Sequence, residues 1–160
     1  MDRTQGQIIN IQCSGRGAGS CSTGGTDCGR AASGAFVYWV RPGTGASRRH
    51  ALLEAWYRAQ IRDEVPDLVA KWERRLGVRV AKVHVQRMRT RWGSCNAPDR
   101  AIRLNTDLAR KPRQCLEYIV VHEMLHLLVR NHGEAFRKLM DRHLRDVLNS
   151  EPLAHTEWTY

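Results

Sequence analysis

Three of the chain's seven histidines, His122, His126 and His132, fall within eleven positions, in the stretch VVHEMLHLLVRNHGEAF (residues 120–136). Their spacing constrains the fold more than any other feature. On a helix, His122 and His126 stand one turn apart on one face. Straight helix would carry His132 ~15 Å along the axis from His122, too far to share a ligand with it. For all three to act together the chain has to turn back. Asn131 and Gly133 are expected to end the helix, after about Arg130, and to permit the turn through left-handed conformations.

Two imidazoles at i and i+4 can bind one zinc ion without distorting the backbone. Glu123 lies ~100° around the helix from His122. That offset keeps it from being a third equivalent ligand, yet it can reach a water on the open side of the metal, which is the general-base role of the glutamate in H-E-x-x-H. A catalytic zinc takes three protein ligands and a water. His132 is preferred as the third over Glu134 and over His143, which sits on the apolar stripe of the last helix. The expected metal ligands are therefore His122, His126 and His132, with Glu123 as catalytic base. The competing reading is three unrelated histidines, one of them half-buried and satisfied by its neighbours. His84 alternates with valines and reads as a structural or surface residue; His50 and His155 carry no signal.

The motif needs a frame. From about Ser47, the residues Leu53, Trp56, Tyr57, Ile61, Val65, Leu68, Val69, Trp72 and Leu76 recur at three- and four-residue steps, which predicts an amphipathic helix or helix pair. Pro66 should kink or divide it, and Gly77 should end it. VRVAKVHVQRMRTRW (78–92) reads as a strand and GSCNAPDR (93–100) as turn material. AIRLN (101–105) reads as a second short strand, antiparallel to the first, with Asn105 or Thr106 capping the next segment. Pro112 suits the first turn of the histidine-bearing helix. Phe136, Leu139, Met140, Leu144, Val147 and Leu148 then form the stripe of a last helix.

The 160 residues and 42% apolar content predict one folded domain, over residues 37–150. Residues 1–36 form a Gly/Ser/Cys-rich segment, expected to be disordered or loosely attached apart from a short strand, AFVYWV (35–40). Residues 151–160 form a C-terminal tail. No stretch approaches the ~18 apolar residues of a membrane span, and no secretion signal is visible, so a cytoplasmic location without membrane association is expected. The five cysteines include no C-x-x-C pair and are expected to be reduced. The formal charge of +10 would attract nucleic acid, acidic proteins or acidic peptides, and it equally describes a solvated basic surface. The oligomeric state is not readable.

Four stretches, LLEAWYRAQI (52–61), RTRWGSC (89–95), IRLNTDLARKP (102–112) and LEYIVVHEMLHLLVRNHGEAF (116–136), together resemble the YgjP-like metallopeptidase domain over roughly residues 37–148. That family is a zincin related to the WLM and SprT-like proteases, some of which digest proteins crosslinked to DNA. The resemblance implies an α+β, zincin-like fold: a small antiparallel sheet packed on an active-site helix, with flanking helices. It implies a zinc-dependent peptidase acting on protein or peptide, with His122, His126 and His132 matching the family's ligands and Glu123 its catalytic glutamate. The additional N-terminal strands usual in such domains are not evident here, so the sheet is expected to be incomplete. Arg91 and Trp92 belong to the family motif and are expected in structural or substrate-side roles. Tyr118 is on the right face to donate to an oxyanion, although core packing is preferred for it, as it is for Cys95. Two other functions stay open: a nucleic-acid-associated module with structural zinc, and a metal-dependent hydrolase of small esters or phosphoesters.

Overall fold

The long periodic stretch forms one helix. The structure, a computed structural model, describes residues 7–12, 28–30, 35–40 and 43–148. Helix α1 (Ala46–Leu76) buries Trp56, Tyr57, Ile61, Val65, Leu68, Val69 and Trp72, the face the spacing predicts. Pro66 lies inside α1 and does not divide it. Gly77 ends the helix at φ 67°, donating its N–H to the Glu73 carbonyl at 3.0 Å. Left-handed backbone favours glycine there because it carries no Cβ.

Strands β1 (Gln7–Gln12), β2 (Cys28–Arg30) and β3 (Ala35–Val40) make an antiparallel sheet in the order β1-β3-β2. β3 was expected. β1 and β2 lie in the segment expected to lack structure, and they supply N-terminal strands that the sequence did not reveal.

A second sheet contains β4 (Lys82–Gln86), β5 (Gly93–Asn96) and β6 (Ala101–Asn105), in the order β4-β6-β5. It is mixed rather than antiparallel throughout: β4 runs parallel to β6, and β5 runs antiparallel to it. The stretch 78–92 is thus not one strand, and part of the expected turn is β5. The cause is local. A tight turn at 97–100, with Arg100 at φ 47° and its N–H bonded to the Ala97 carbonyl, makes β5 the hairpin partner of β6. β4 is left the opposite side of β6, which it can reach only in parallel.

Asn105 holds the crossing between β4 and β5. Its Nδ2 donates to the Met88 and Arg91 carbonyls, both at 2.9 Å, and its Oδ1 accepts from the Met88 and Asp107 amides. The last of these bonds is the expected cap, here on a 3₁₀ turn (Thr106–Arg110).

Helix α2 (Arg113–Leu125) runs through the middle, with ten of its thirteen residues buried. It packs with α1, the second sheet and α3 (Glu134–Leu148) around one core that includes Trp72, Ile102, Leu104, Ile119, Met124 and Phe136. Each large side chain fully buried there contributes about 1.5–3 kcal/mol. Glu117 pins α2 to α1, accepting from Trp72 Nε1 at 2.8 Å and Lys71 Nζ at 2.6 Å.

Candidate metal centre

Helix α2 ends earlier than expected, at Leu125 rather than near Arg130. His126 is its capping residue and keeps helical angles (φ −66°, ψ −14°), so the i, i+4 relation to His122 survives. The chain then tightens: Leu127 and Leu128 donate back three residues, to the Met124 and Leu125 carbonyls. These bonds make the reversal. Asn131 and Gly133 do not; among the described residues positive φ occurs at Gly43, Gly77 and Arg100.

The reversal brings His132 back against the other two rings. Ring centroids are 5.0 Å apart for His122 and His126, 4.9 Å for His122 and His132, and 4.6 Å for His126 and His132. One ligand nitrogen from each lies within 4.8 Å of the others. His132 Nε2 is 2.9 Å from His122 Nε2. Tetrahedral bonds of about 2.0–2.1 Å would hold two nitrogens roughly 3.3 Å apart, so a small adjustment admits zinc.

The tautomer of His126 fits as well. Its Nδ1 lies 3.1 Å from the Val129 carbonyl. A carbonyl only accepts, so Nδ1 carries the hydrogen and Nε2 is left with its lone pair for a metal. Burial, followed by the neighbouring His126 and His132, pushes the His122 pKa down to about 4. Burial lowers that of His126 too, against the Val129 and Arg130 carbonyls, which raise it. Neutral imidazole is the ligating form. Phe136 on α3 underlies all three rings at 4.8–4.9 Å and is 3% exposed. The sequence places it on an apolar stripe and in the stretch that resembles the family, without disclosing its contact with the rings.

Glu123 is buried beside this cluster, and burial raises its pKa to about 7 against the opposing charge of Arg91. Gly93 opens β5 directly against it. A Cβ at position 93 would stand 2.5 Å from Glu123 Oε1 and 2.7 Å from its Cγ. The glycine of the WGSC stretch is therefore a requirement of close approach, which no local pattern disclosed.

Glu123 and the three histidines open into a cleft of about 980 Å³, walled by β5 and by Arg91, Arg103 and Arg130. Arg91 is thus on the open side of the site, while Trp92 packs on the core with Lys111 over its ring. Cys95 borders the cleft, but burial and then Glu123 push its thiol up to about 11, which suits packing and not nucleophilic attack. Tyr118 packs against the core and is absent from the cleft wall. The rival ligands are elsewhere: Glu134 pairs with Lys138, and His143 meets the edge of Trp72. His84 is exposed on β4, His50 contacts Arg87, and His155 lies outside the described residues.

No curated protein matches the chain. Among solved structures it is similar to the metallopeptidase zymogen jannalysin of Methanocaldococcus jannaschii, at 18% identity and a TM-score of 0.45, over 54% of this chain and 86% of that one. The family model described as YgjP-like, metallopeptidase domain, matches residues 33–151, and the chain belongs to that family.

Proposed function

We propose that the chain is a zinc peptidase in which His122, His126 and His132 hold the metal and Glu123 is the general base. The convergence of three imidazoles beside a buried carboxylate carries this reading. Zinc in such a site acidifies water and polarises a carbonyl. Glu123 takes the proton of the attacking water on its carboxylate and returns it to the departing amine nitrogen. Burial of that carboxyl favours its taking up the proton. Gly93 lets Glu123 sit where it does, and the Val129 carbonyl orients His126. Phe136 keeps water from behind the rings. β5 is an edge strand on the cleft, and its outer edge can pair with an extended peptide, holding the scissile carbonyl near Glu123.

The catalytic unit is assigned to residues 37–150, within the span of the family match. A cytoplasmic setting is part of the proposal. No described helix is long and apolar enough to cross a membrane.

Metal analysis and peptide hydrolysis test the assignment together. Purified protein should carry zinc, and His132→Ala should lose most of it. Glu123→Gln should keep its zinc while hydrolysis drops about 10²–10⁴-fold. Unchanged hydrolysis in Glu123→Gln would remove the base. A substrate panel with and without chelator separates peptides from small esters and phosphoesters.

A further inference from the structure

Three guanidinium groups from distant parts of the chain share the wall of the metal-centre cleft. Arg91 comes from the crossing before β5, Arg103 from the middle of β6 and Arg130 from the reversal after α2. Arg91 and Arg130 are exposed and Arg103 is half-buried. Among the described residues, Glu123 is the single acid on that wall. Among the same residues, neither Arg103 nor Arg130 forms an ion pair; three acids of α1 and α3 pair with other cations, Glu54 with Arg87, Glu64 with Arg113 and Glu134 with Lys138.

Arg103 faces Ser94 across the β5–β6 pair, so its side chain shares the face of the strand that borders the cleft. Positive charge in a concave site concentrates anions there. A guanidinium also offers paired N–H donors that match a carboxylate's two oxygens.

We infer that this peptidase prefers substrates bearing a carboxylate close to the scissile bond, held by Arg103 and Arg130. The carboxylate is either an Asp or Glu side chain or the free C-terminus of the substrate. Arg91 adds to the field, but it also acts on Glu123, so it does not discriminate cleanly. The inference rests on the peptidase reading above and narrows it to acidic peptides.

The test uses zinc-loaded full chain and four quenched-fluorescence peptides of one core sequence. One has Glu beside the cleaved bond and one Gln there, each with a free or an amidated C-terminus. The Glu peptide should exceed the Gln peptide in kcat/KM by about two- to fivefold, the effect of one partly solvated ion pair. That ratio should shrink between about 0.05 and 0.5 M salt as screening grows. Arg103→Gln and Arg130→Gln should each lower the ratio toward one, while Arg62→Gln, remote on α1, should not. An advantage confined to the free C-terminus assigns the carboxylate to the chain end. Equal cleavage of all four peptides overturns the inference and leaves the peptidase reading standing.

If no peptide is cut, the peptidase reading fails, and binding decides the inference separately. Labelled peptides titrated into Glu123→Gln should show the same order and the same salt dependence by anisotropy; equal affinities overturn it. The inference also falls if the arginine variants weaken binding of a single-stranded oligonucleotide while leaving peptide discrimination intact, since the guanidinium groups would then belong to a nucleic-acid surface.

Discussion

Adding one methyl group at Gly93 probes the most tightly built contact of the site. The Cβ of Gly93→Ala would lie 2.5 Å from Glu123 Oε1, 2.7 Å from Cγ and 2.9 Å from Cδ. Carbon contacts settle at about 3.5–4.0 Å, so the carboxyl has to retreat by about 1 Å. Glu123 is only 3% exposed, and its Cγ stays close to the backbone of α2, so it cannot swing aside as a free chain end would. Overpacking of this kind costs about 1–3 kcal/mol of stability. Misplacing a catalytic group by 1 Å costs on the order of 10²-fold in rate. The histidine nitrogens are not among the three atoms struck, so zinc content should hold. The assay is kcat/KM on a quenched-fluorescence peptide, with zinc stoichiometry and urea unfolding on the same preparation. A folded, zinc-loaded Gly93→Ala with kcat/KM within about twofold of wild type would refute the reasoning, because Glu123 would then need no fixed position.

Two further predictions concern the supports of the site. Asn105→Ala removes four bonds that shape the crossing before β5, and it should cost roughly 2–4 kcal/mol in urea unfolding. Amide exchange at Met88 and Asp107 should accelerate in the folded variant, and unchanged exchange would show the clamp to be idle. In metal-free protein the Glu123 pKa stands at about 7 against an ordinary 4.5. Between those values the native carboxyl keeps its proton and the unfolded one loses it, so stability from this group is lost as pH rises through the window. Glu123→Gln avoids the loss. With chelator present it should match wild type near pH 4.5 and exceed it by at most about 3 kcal/mol above pH 7. His122, shifted down to about 4, contributes in the opposite direction, with stability lost as pH falls below its ordinary 6.5, but it does so in both proteins. Parallel stability curves would mean that Glu123 does not bury a charge.

Features written in local spacing were legible. The 57–61–65–68–72 run predicts the buried face of α1, and the His122–His126 pair needs only helical geometry. Features set by partners remote in sequence were not. A β-rich run of fifteen residues, 78–92, reads as one strand until Asn105 draws the 88 and 91 carbonyls out of line. Whether β4 lies parallel or antiparallel to β6 depends on where the hairpin turn falls, and Arg100, not a glycine, takes the left-handed position there. The contact of Gly93 with Glu123 spans thirty residues and leaves no periodic trace. The family motif contains Gly93 and Phe136, but a motif states only that a residue recurs; the close approach and the packing under the rings supply the reasons.

The early end of α2 ties these features into one device. Had the helix continued to Arg130, the added turns would have carried the chain away from His122 at about 1.5 Å per residue. Ending at Leu125 starts the reversal directly beyond the second histidine. The same reversal turns the Val129 carbonyl onto His126 and delivers Phe136 beneath all three rings. The surrounding core, from Trp72 to Met140, does not involve the histidine nitrogens. Apolar burial and backbone bonds thus help to gather the imidazoles. A short His122–His132 contact at 2.9 Å requires a hydrogen between two ring nitrogens when no metal is bound. Zinc would draw on both lone pairs, and that hydrogen would pass to the other nitrogen of its own ring, so the exchange is a change of tautomer with no net proton released.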